Sequence, residues 1–332
     1  MKILVCGGAG FIGSAFIRNH LQHNPNSDIV NLDSLTIGSN LANLQSVEGN
    51  QSYQFVKGDI RNKSEVDSLV KDADAVINFA AETHVDRSIA DPKPFLDTNI
   101  LGTYCILEAV RKYDKQFIHV STDEVYGDAE EQPSFDEYSQ IRPSNPYAAT
   151  KAAADHLVAS YYRTYGINCI TTRCTNNFGP YQFPEKLIPK TIIRALLNLK
   201  IPLYGNGLQI RSWIYVYDHV QAIDALLLHG RAGHVYNITA YNEITNKKIA
   251  EKILDILKKP HSMIEYVEDR PGHDKRYSIN SSKIEREIEW KPQYEFEKAL
   301  EETVSWYLNN RQWWEPLANY NTLHPQPWKK SQ

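Results

Sequence analysis

The strongest constraint on this chain lies close to its first residue. Gly7, Gly10 and Gly13 form a GxxGxxG run between an apolar stretch at residues 2–6 and an amphipathic stretch at residues 11–23. The first stretch reads as a buried strand and the second as a helix. Glycine at the first position allows a tight turn, and at the second it lets the backbone approach a diphosphate. At the third it lets the helix pack close to the strand. The helix N-terminus, with Phe11 and Ile12 at its edge, then presents free N–H groups to phosphate oxygens. The fingerprint needs an acid about 20 residues further on. Asp33 supplies it, at the end of a second apolar run over residues 29–33. A carboxylate there accepts hydrogen bonds from a ribose and repels a 2′-phosphate, so the pattern predicts NAD rather than NADP. Asp59 and Ile60 follow a third run at 53–57, placed either to contact the adenine or to cap a helix.

Further strands are predicted at 75–79, 116–121 and 169–173, with long helices at 96–113 and 147–165. Strands alternating with helices imply βαβ units and a parallel sheet. The expected fold class is therefore α/β, a Rossmann-type doubly wound parallel sheet. Beyond about Thr175 the alternation weakens, and Pro180, Pro184, Pro189 and Pro202 punctuate the chain. The expected division is an NAD-binding domain over 1–175 that also carries the catalytic residues, and a smaller region over 176–332. That region mainly binds substrate and returns part of the sheet to the first domain. The tail at 311–332, with Trp313, Trp314 and Trp328, is expected to pack across the surface.

A formal charge of −4 gives no global attraction to nucleic acid or to an anionic membrane. No apolar run approaches the roughly 18 residues of a membrane helix. Cys6, Cys105, Cys169 and Cys174 include no CxxC pair and no Cys/His cluster with zinc spacing. Free thiols in a reducing, cytoplasmic compartment are expected, with no metal, nucleic-acid or membrane partner.

Two segments carry chemistry. Ser121-Thr122-Asp123-Glu124-Val125-Tyr126-Gly127 follows the apolar run 117–120, and in a parallel sheet the C-terminal ends of strands border the ligand crevice. Adjacent carboxyl groups there can divide an elimination, one protonated and donating, the other accepting. Tyr147 and Lys151 form YxxxK, which on a helix places both side chains on one face. Ser144 and Asn145 are cap candidates, and Pro146 suits a first helical turn. A neighbouring ammonium and a cationic nicotinamide would both favour the phenolate. Tyr294 and Lys298 repeat the spacing near the C-terminus and read as an exposed helix face.

Together with FAAETHVDRSI, NPYAATKAAAD, NNFGPYQFPEKLIP, IRSWIYVYDH and DRPGHDKRY, these segments resemble the nucleotide-sugar 4,6-dehydratases of the extended short-chain dehydrogenase/reductase family. Those acting on dTDP-glucose are the nearest match. The resemblance implies that Tyr147 takes the C4 hydroxyl proton and that Lys151 holds the nicotinamide ribose and lowers the tyrosine pKa. It implies that Thr122 bonds the C4 oxygen, Glu124 abstracts the C5 proton and Asp123 protonates the leaving C6 hydroxyl. To the cofactor set it adds Ala80, Ala81, Thr98 and Asn177, beside Tyr147 and Lys151. For the sugar and diphosphate it implies Thr83, Thr122, Asn176, Lys186, Arg211, Asn237, Arg270 and His273, with Pro202 and Tyr204 flanking the base. It further implies a homodimer through a four-helix contact made by 96–113 and 147–165.

Three alternatives remain at this point. One is a UDP-glucose 4,6-dehydratase, and the second is a nucleotide-sugar 4-epimerase or decarboxylase of the same family. The third is a catalytically silent NAD-binding protein. An epimerase or decarboxylase needs no adjacent acid and base for losing a C6 hydroxyl, so Asp123-Glu124 discriminates against it.

Overall fold

The computed structural model describes residues 1–329. Residues 330–332, the end of the expected surface tail, lie outside the described residues. The strands are β1 Lys2–Cys6, β2 Asp28–Asp33, β3 Tyr53–Lys57, β4 Ala75–Asn78, β5 Gln116–Thr122 and β6 Cys169–Cys174. They continue as β7 Asn176–Phe178, β8 Ile201–Tyr204, β9 Ile210–Tyr215, β10 Val235–Ile238, β11 Asn242–Thr245 and β12 Ile264–Val267.

Along β1, successive side chains enter opposite layers, as a strand's two-residue period requires. Ile3 and Val5 join an apolar layer with Phe16, Ile118 and Ile223, while Leu4 and Cys6 join another with Val66, Ile106 and Phe117. Both faces are thus covered, which is why the strand reads as an unbroken apolar run. The seven-stranded sheet has the order β10-β6-β5-β4-β1-β2-β3, and every pair in it is parallel. Strand order reverses direction beside β1, between β2 and β4, the position at which a doubly wound sheet opens its crevice. The first six strands fall where the sequence predicts them to within a residue or so.

β10 brings a late segment back to the sheet edge against β6. The Val216–His229 helix packs on the Phe11–His23 helix, where Asp224 meets His20 Nδ1 at 2.6 Å. Outside the main sheet, β7 and β11 flank β9, and β8 pairs with β12. A further apolar cluster gathers Phe178, Ile192, Trp213, Tyr307, Trp313 and Trp314.

Three expectations are corrected. The helix expected over 96–113 starts earlier and is not uniform: Lys93–Phe95 is α, Leu96–Gly102 is wound with i→i+5 turns, and Thr103–Tyr113 is α again. Such π turns recur at functional sites. Here the wide turn carries Asn99, which accepts from Glu82 N at 2.9 Å and donates to Thr150 Oγ1 at 2.9 Å. Tyr294 and Lys298 do not share a helix face. Tyr294 precedes the Phe296–Asn309 helix and packs edge-on against Tyr215 at 4.9 Å, after Pro292 and an Asp218 carboxylate that accepts the Gln293 N–H. Trp313 and Trp314 are buried in the core rather than spread over the surface, because their indole N–H groups find acceptors inside, on Asn43 and on the Tyr307 carbonyl. Among the described residues no helix is long and apolar enough to cross a membrane.

Candidate active site

The glycine loop excludes a side chain at two of its positions and leaves open space at the third. Gly7 has φ +79°, and a Cβ there would lie 2.5 Å from Ala80 N; on Gly13 it would lie 2.4 Å from the Gly7 carbonyl oxygen. On Gly10 a Cβ would meet only the Gly7 oxygen, at 3.3 Å, and would otherwise project into a cleft. That space is what a diphosphate approaching the backbone needs. Asp33 is buried; its Oδ2 accepts Ala9 N at 2.9 Å and its Oδ1 accepts Leu35 N at 2.8 Å. The carboxylate therefore locks the loop while keeping lone pairs for ribose hydroxyls.

One cavity runs along the carboxyl ends of the strands. It is lined by Gly7, Gly10, Phe11, Ile12, Gly13 and Asp33, and at its edge by Asp59 and Ile60. Ala80, Ala81 and Thr98 border it from β4 and the π turn, and Asn177 from β7. Thr122, Asp123, Glu124, Tyr147 and Lys151 border it too. Asp59 is bound to Arg61 Nε at 3.0 Å and does not cap the next helix; Asn62 does. A second cavity is lined by Pro202, Tyr204, Arg211, Arg270 and His273. Thr83, Glu124, Asn176, Glu185 and Lys186 border both. The expected cofactor and substrate groups thus meet at Glu124.

Asn145 caps the Pro146–Tyr165 helix by accepting Ala148 N at 2.9 Å, and Pro146 takes the first turn. Ser144 instead donates to Asp274 Oδ1 at 2.5 Å. This start aims Tyr147 and Lys151 into the first cavity. Lys151 Nζ donates to the Val120 carbonyl at 2.8 Å, and burial lowers its pKa to about 8, against the pull of Asp155. Burial also pushes the Tyr147 phenol well above its ordinary range, with the Glu124 charge adding to the shift and the Thr122 hydroxyl opposing it.

Thr122 ends β5 and caps a tight turn over Asp123–Tyr126, its Oγ1 accepting Glu124 N at 3.3 Å. Asp123 is buried, its Oδ2 has no hydrogen-bond partner among the described residues, and burial plus the Glu124 charge raise its pKa to about 8. Both effects favour its protonated form. Glu124 Oε2 receives the Tyr277 hydroxyl at 3.4 Å and the Asn145 amide at 3.5 Å.

The second cavity contains a set of groups that the sequence did not single out. Asp86 accepts from Arg270 Nη1 at 2.8 Å and from Tyr204 OH at 2.6 Å. Burial alone would raise the Asp86 pKa, yet His84, Arg270 and Tyr204 bring it down to about 2. Asn246, His84, Lys190 and Tyr277 also line this cavity. Asp86 and His84 lie within FAAETHVDRSI, so the segment was visible although their role was not. Asn237 departs from the expectation. It is fully buried and lines neither cavity, because its side chain accepts the Tyr126 hydroxyl and donates to the Phe135 and Asn280 carbonyls. Asn246, nine residues later, stands at the second cavity with a buried Oδ1 that has no partner among the described residues.

The family described as GDP-mannose 4,6 dehydratase matches residues 4–303. The chain belongs to the nucleotide-sugar 4,6-dehydratase family of extended short-chain dehydrogenase/reductases. A dTDP-glucose 4,6-dehydratase of Escherichia coli is 45% identical to it, over 96% of this chain and 97% of that protein. The crystal structure of a dTDP-glucose 4,6-dehydratase from Bacillus anthracis str. Ames in complex with NAD superimposes with TM-score 0.90 at 47% identity, covering 96% and 99% of the two chains. A dTDP-glucose 4,6-dehydratase of Streptomyces venezuelae, solved with NAD and dTDP bound, gives TM-score 0.94 at 45% identity over 96% and 100%. Within this dehydratase family the cavity geometry described above acquires a chemical context.

Proposed function

We propose that this protein is an NAD-dependent dTDP-glucose 4,6-dehydratase, which oxidises the hexose at C4, eliminates water across C5 and C6, and reduces C6. The relatives' identity over nearly the whole chain supports the substrate. The observation that carries the chemistry is the pair at the end of β5: a buried Asp123 beside Glu124, which borders both cavities, with burial and the Glu124 charge favouring the proton on Asp123. An epimerase has no use for that acid.

NAD, held by the glycine loop, Asp33, Ala80, Ala81, Thr98, Asn177 and Lys151, supplies a hydride acceptor for C4 and afterwards a hydride donor for C6. Tyr147, whose phenolate the Lys151 ammonium and a bound nicotinamide cation would favour against burial, takes the C4 hydroxyl proton, with Thr122 bonding the same oxygen. The resulting C4 ketone acidifies the C5 hydrogen, which Glu124 removes. Asp123 gives its proton to the C6 hydroxyl, which departs as water. Glu124 then returns its proton to C5, the proton that Tyr147 took from the C4 hydroxyl passes to solvent, and Asp123 regains one, which resets all three groups. Arg211 and Arg270 offer forked donors for the diphosphate, with Asn176, Lys186, Thr83 and His273 around the sugar, and Pro202 and Tyr204 against the base.

The division into an NAD-binding part over 1–175 and a mainly substrate-binding part over 176–332 fits the two cavities and the return of β10. A homodimer is supported by apolar groups exposed on adjoining helices: Leu101 and Tyr104 on one run, Tyr162 and Tyr165 on the other. Four free thiols suit a reducing cytoplasm.

The test is incubation of the purified protein with dTDP-, UDP-, CDP- and GDP-hexoses and assay of each for a 4-keto-6-deoxy product. Product from dTDP-glucose is expected. Preference for UDP-glucose would move the assignment to the uridine substrate, and no product from any of them would leave only NAD binding.

A further inference from the structure

Lys190 lies on the Leu187–Leu196 helix, one turn beyond Lys186, and is only 8% exposed. It borders the second cavity with Leu187, Pro202, Asn246 and Pro325. Its Nζ donates to the main-chain carbonyl of His324 at 3.2 Å. An ammonium has three donors, and among the described residues this is its one hydrogen bond. The carboxylates on this side are committed elsewhere. Asp86 is held by Arg270 at 2.8 Å, and Glu185 by Arg87 at 2.9 Å. Among the described residues no ion pair forms at Lys190. A buried cation without an anion is unfavourable, and a ligand that brings oxygen acceptors relieves the penalty.

The His324 carbonyl is itself fixed. Arg194 Nη1 donates to the Leu323 carbonyl at 2.7 Å, Gln326 donates to the Glu268 carbonyl at 3.2 Å, and Lys329 pairs with Glu268 at 2.6 Å. Asn319 caps the short turn that precedes it. The tail therefore forms one wall of the cavity, through Pro325, and aims Lys190 into it.

We infer that Lys190, anchored by the C-terminal tail, is a substrate-binding residue that donates to oxygen atoms of the nucleotide. This rests on the dehydratase reading above. The groups that bear on it are His84 and Asp86 at the start of the Val85–Ala90 helix, Glu185, Lys186 and Arg194 on its own segment, and His324 on the tail. Burial lowers its pKa to about 8, which Asp86 and Glu185 resist and Arg194 and Lys186 reinforce. Nucleotide bound against the ammonium raises that pKa again, so binding weakens as pH rises through about 8.

The test uses the NAD-loaded protein. Lys190→Met keeps the length and apolar stem but removes the donors, and Lys190→Gln keeps an N–H donor without the charge. Calorimetric affinity for dTDP and for thymidine is measured across the pH range, beside KM and kcat for dTDP-glucose. Loss of a hydrogen bond to a charged group predicts a roughly tenfold to hundredfold weaker dTDP affinity and higher KM in Lys190→Met. Lys190→Gln should be intermediate, with kcat and bound NAD retained. The alkaline weakening should disappear in both variants, and in wild-type protein it can be read without any variant. An equal loss for thymidine assigns the contact to base or ribose; a loss confined to dTDP assigns it to the diphosphate. Unchanged dTDP affinity and KM in Lys190→Met, or a flat wild-type profile, overturns the inference. Nucleotide binding without 4-keto product would instead sink the dehydratase reading and leave the role of Lys190 to the calorimetry.

Discussion

Asp123 and Glu124 adjoin in sequence, yet of the two only Glu124 borders both cavities, while Asp123 Oδ2 is buried without a hydrogen-bond partner among the described residues. The acid proposed for Asp123 and the base proposed for Glu124 differ in environment, since burial and the Glu124 charge raise the Asp123 pKa to about 8. A raised pKa means the proton is present below about 8 and lost above it. Turnover should accordingly fall as pH rises through about 8, an alkaline limb to which deprotonation of Lys151 also contributes. Asp123→Asn should lower kcat by roughly a hundredfold to ten-thousandfold, the usual range for a general acid. A pH profile of kcat for wild type and variant checks this, and undiminished turnover in Asp123→Asn would contradict the acid role.

The proposed roles separate in time, which makes them separable by stopped-flow absorbance of the reduced cofactor. Glu124→Gln should show reduced cofactor forming without 4-keto-6-deoxy product, because C4 oxidation precedes proton removal at C5. Tyr147→Phe should show neither signal. A normal burst of reduced cofactor in Tyr147→Phe would reassign the first proton transfer.

Much of this site was legible because its chemistry is local. The GxxGxxG run, the Thr-Asp-Glu turn and the YxxxK helix start each sit on one element, so spacing along the chain specifies spacing in space. The second cavity is different. Asp86, Arg270 and Tyr204 come from three separated segments and meet only after folding. Asn237 and Asn246 show the same limit. Asn237 lies within β10 and Asn246 opens the helix after β11, and only the hydrogen bond of Asn237 to Tyr126 reveals which of them is consumed internally. The π turn at Leu96–Gly102 was hidden because its apolar pattern continues that of the α-helix around it.

The glycine loop offers a contrast within one motif. Gly13→Ala would force a Cβ to 2.4 Å from the Gly7 oxygen, and overpacking of this kind costs about 1–3 kcal/mol. Gly10→Ala meets the protein only at 3.3 Å, so its main effect should fall on the cofactor. Thermal unfolding should therefore show a lower Tm for Gly13→Ala, and NAD titration a weaker Kd for Gly10→Ala with near-native Tm. Equal stability losses in both would remove the assignment of Gly10 to the diphosphate approach.

The last prediction concerns a long-range support for the same loop. Trp313 Nε1 donates to Asn43 Oδ1 at 2.9 Å, Asn43 Nδ2 donates to the Ala9 carbonyl at 3.0 Å, and Ala9 N donates to Asp33 Oδ2 at 2.9 Å. A buried relay thus connects the C-terminal tail to the carboxylate expected to hold the adenosine ribose. Trp313→Phe keeps an aromatic ring among Tyr181, Trp306 and Tyr307 but leaves the Asn43 oxygen without its donor. An unsatisfied buried acceptor costs about 1–3 kcal/mol, so Tm should fall. Because the relay ends on Asp33, the Kd for NAD should also rise, while KM for the nucleotide sugar should stay near wild type, since Trp313 and Asn43 border neither cavity. A lowered Tm with unaltered NAD affinity would show that the tail stabilises the fold without positioning Asp33.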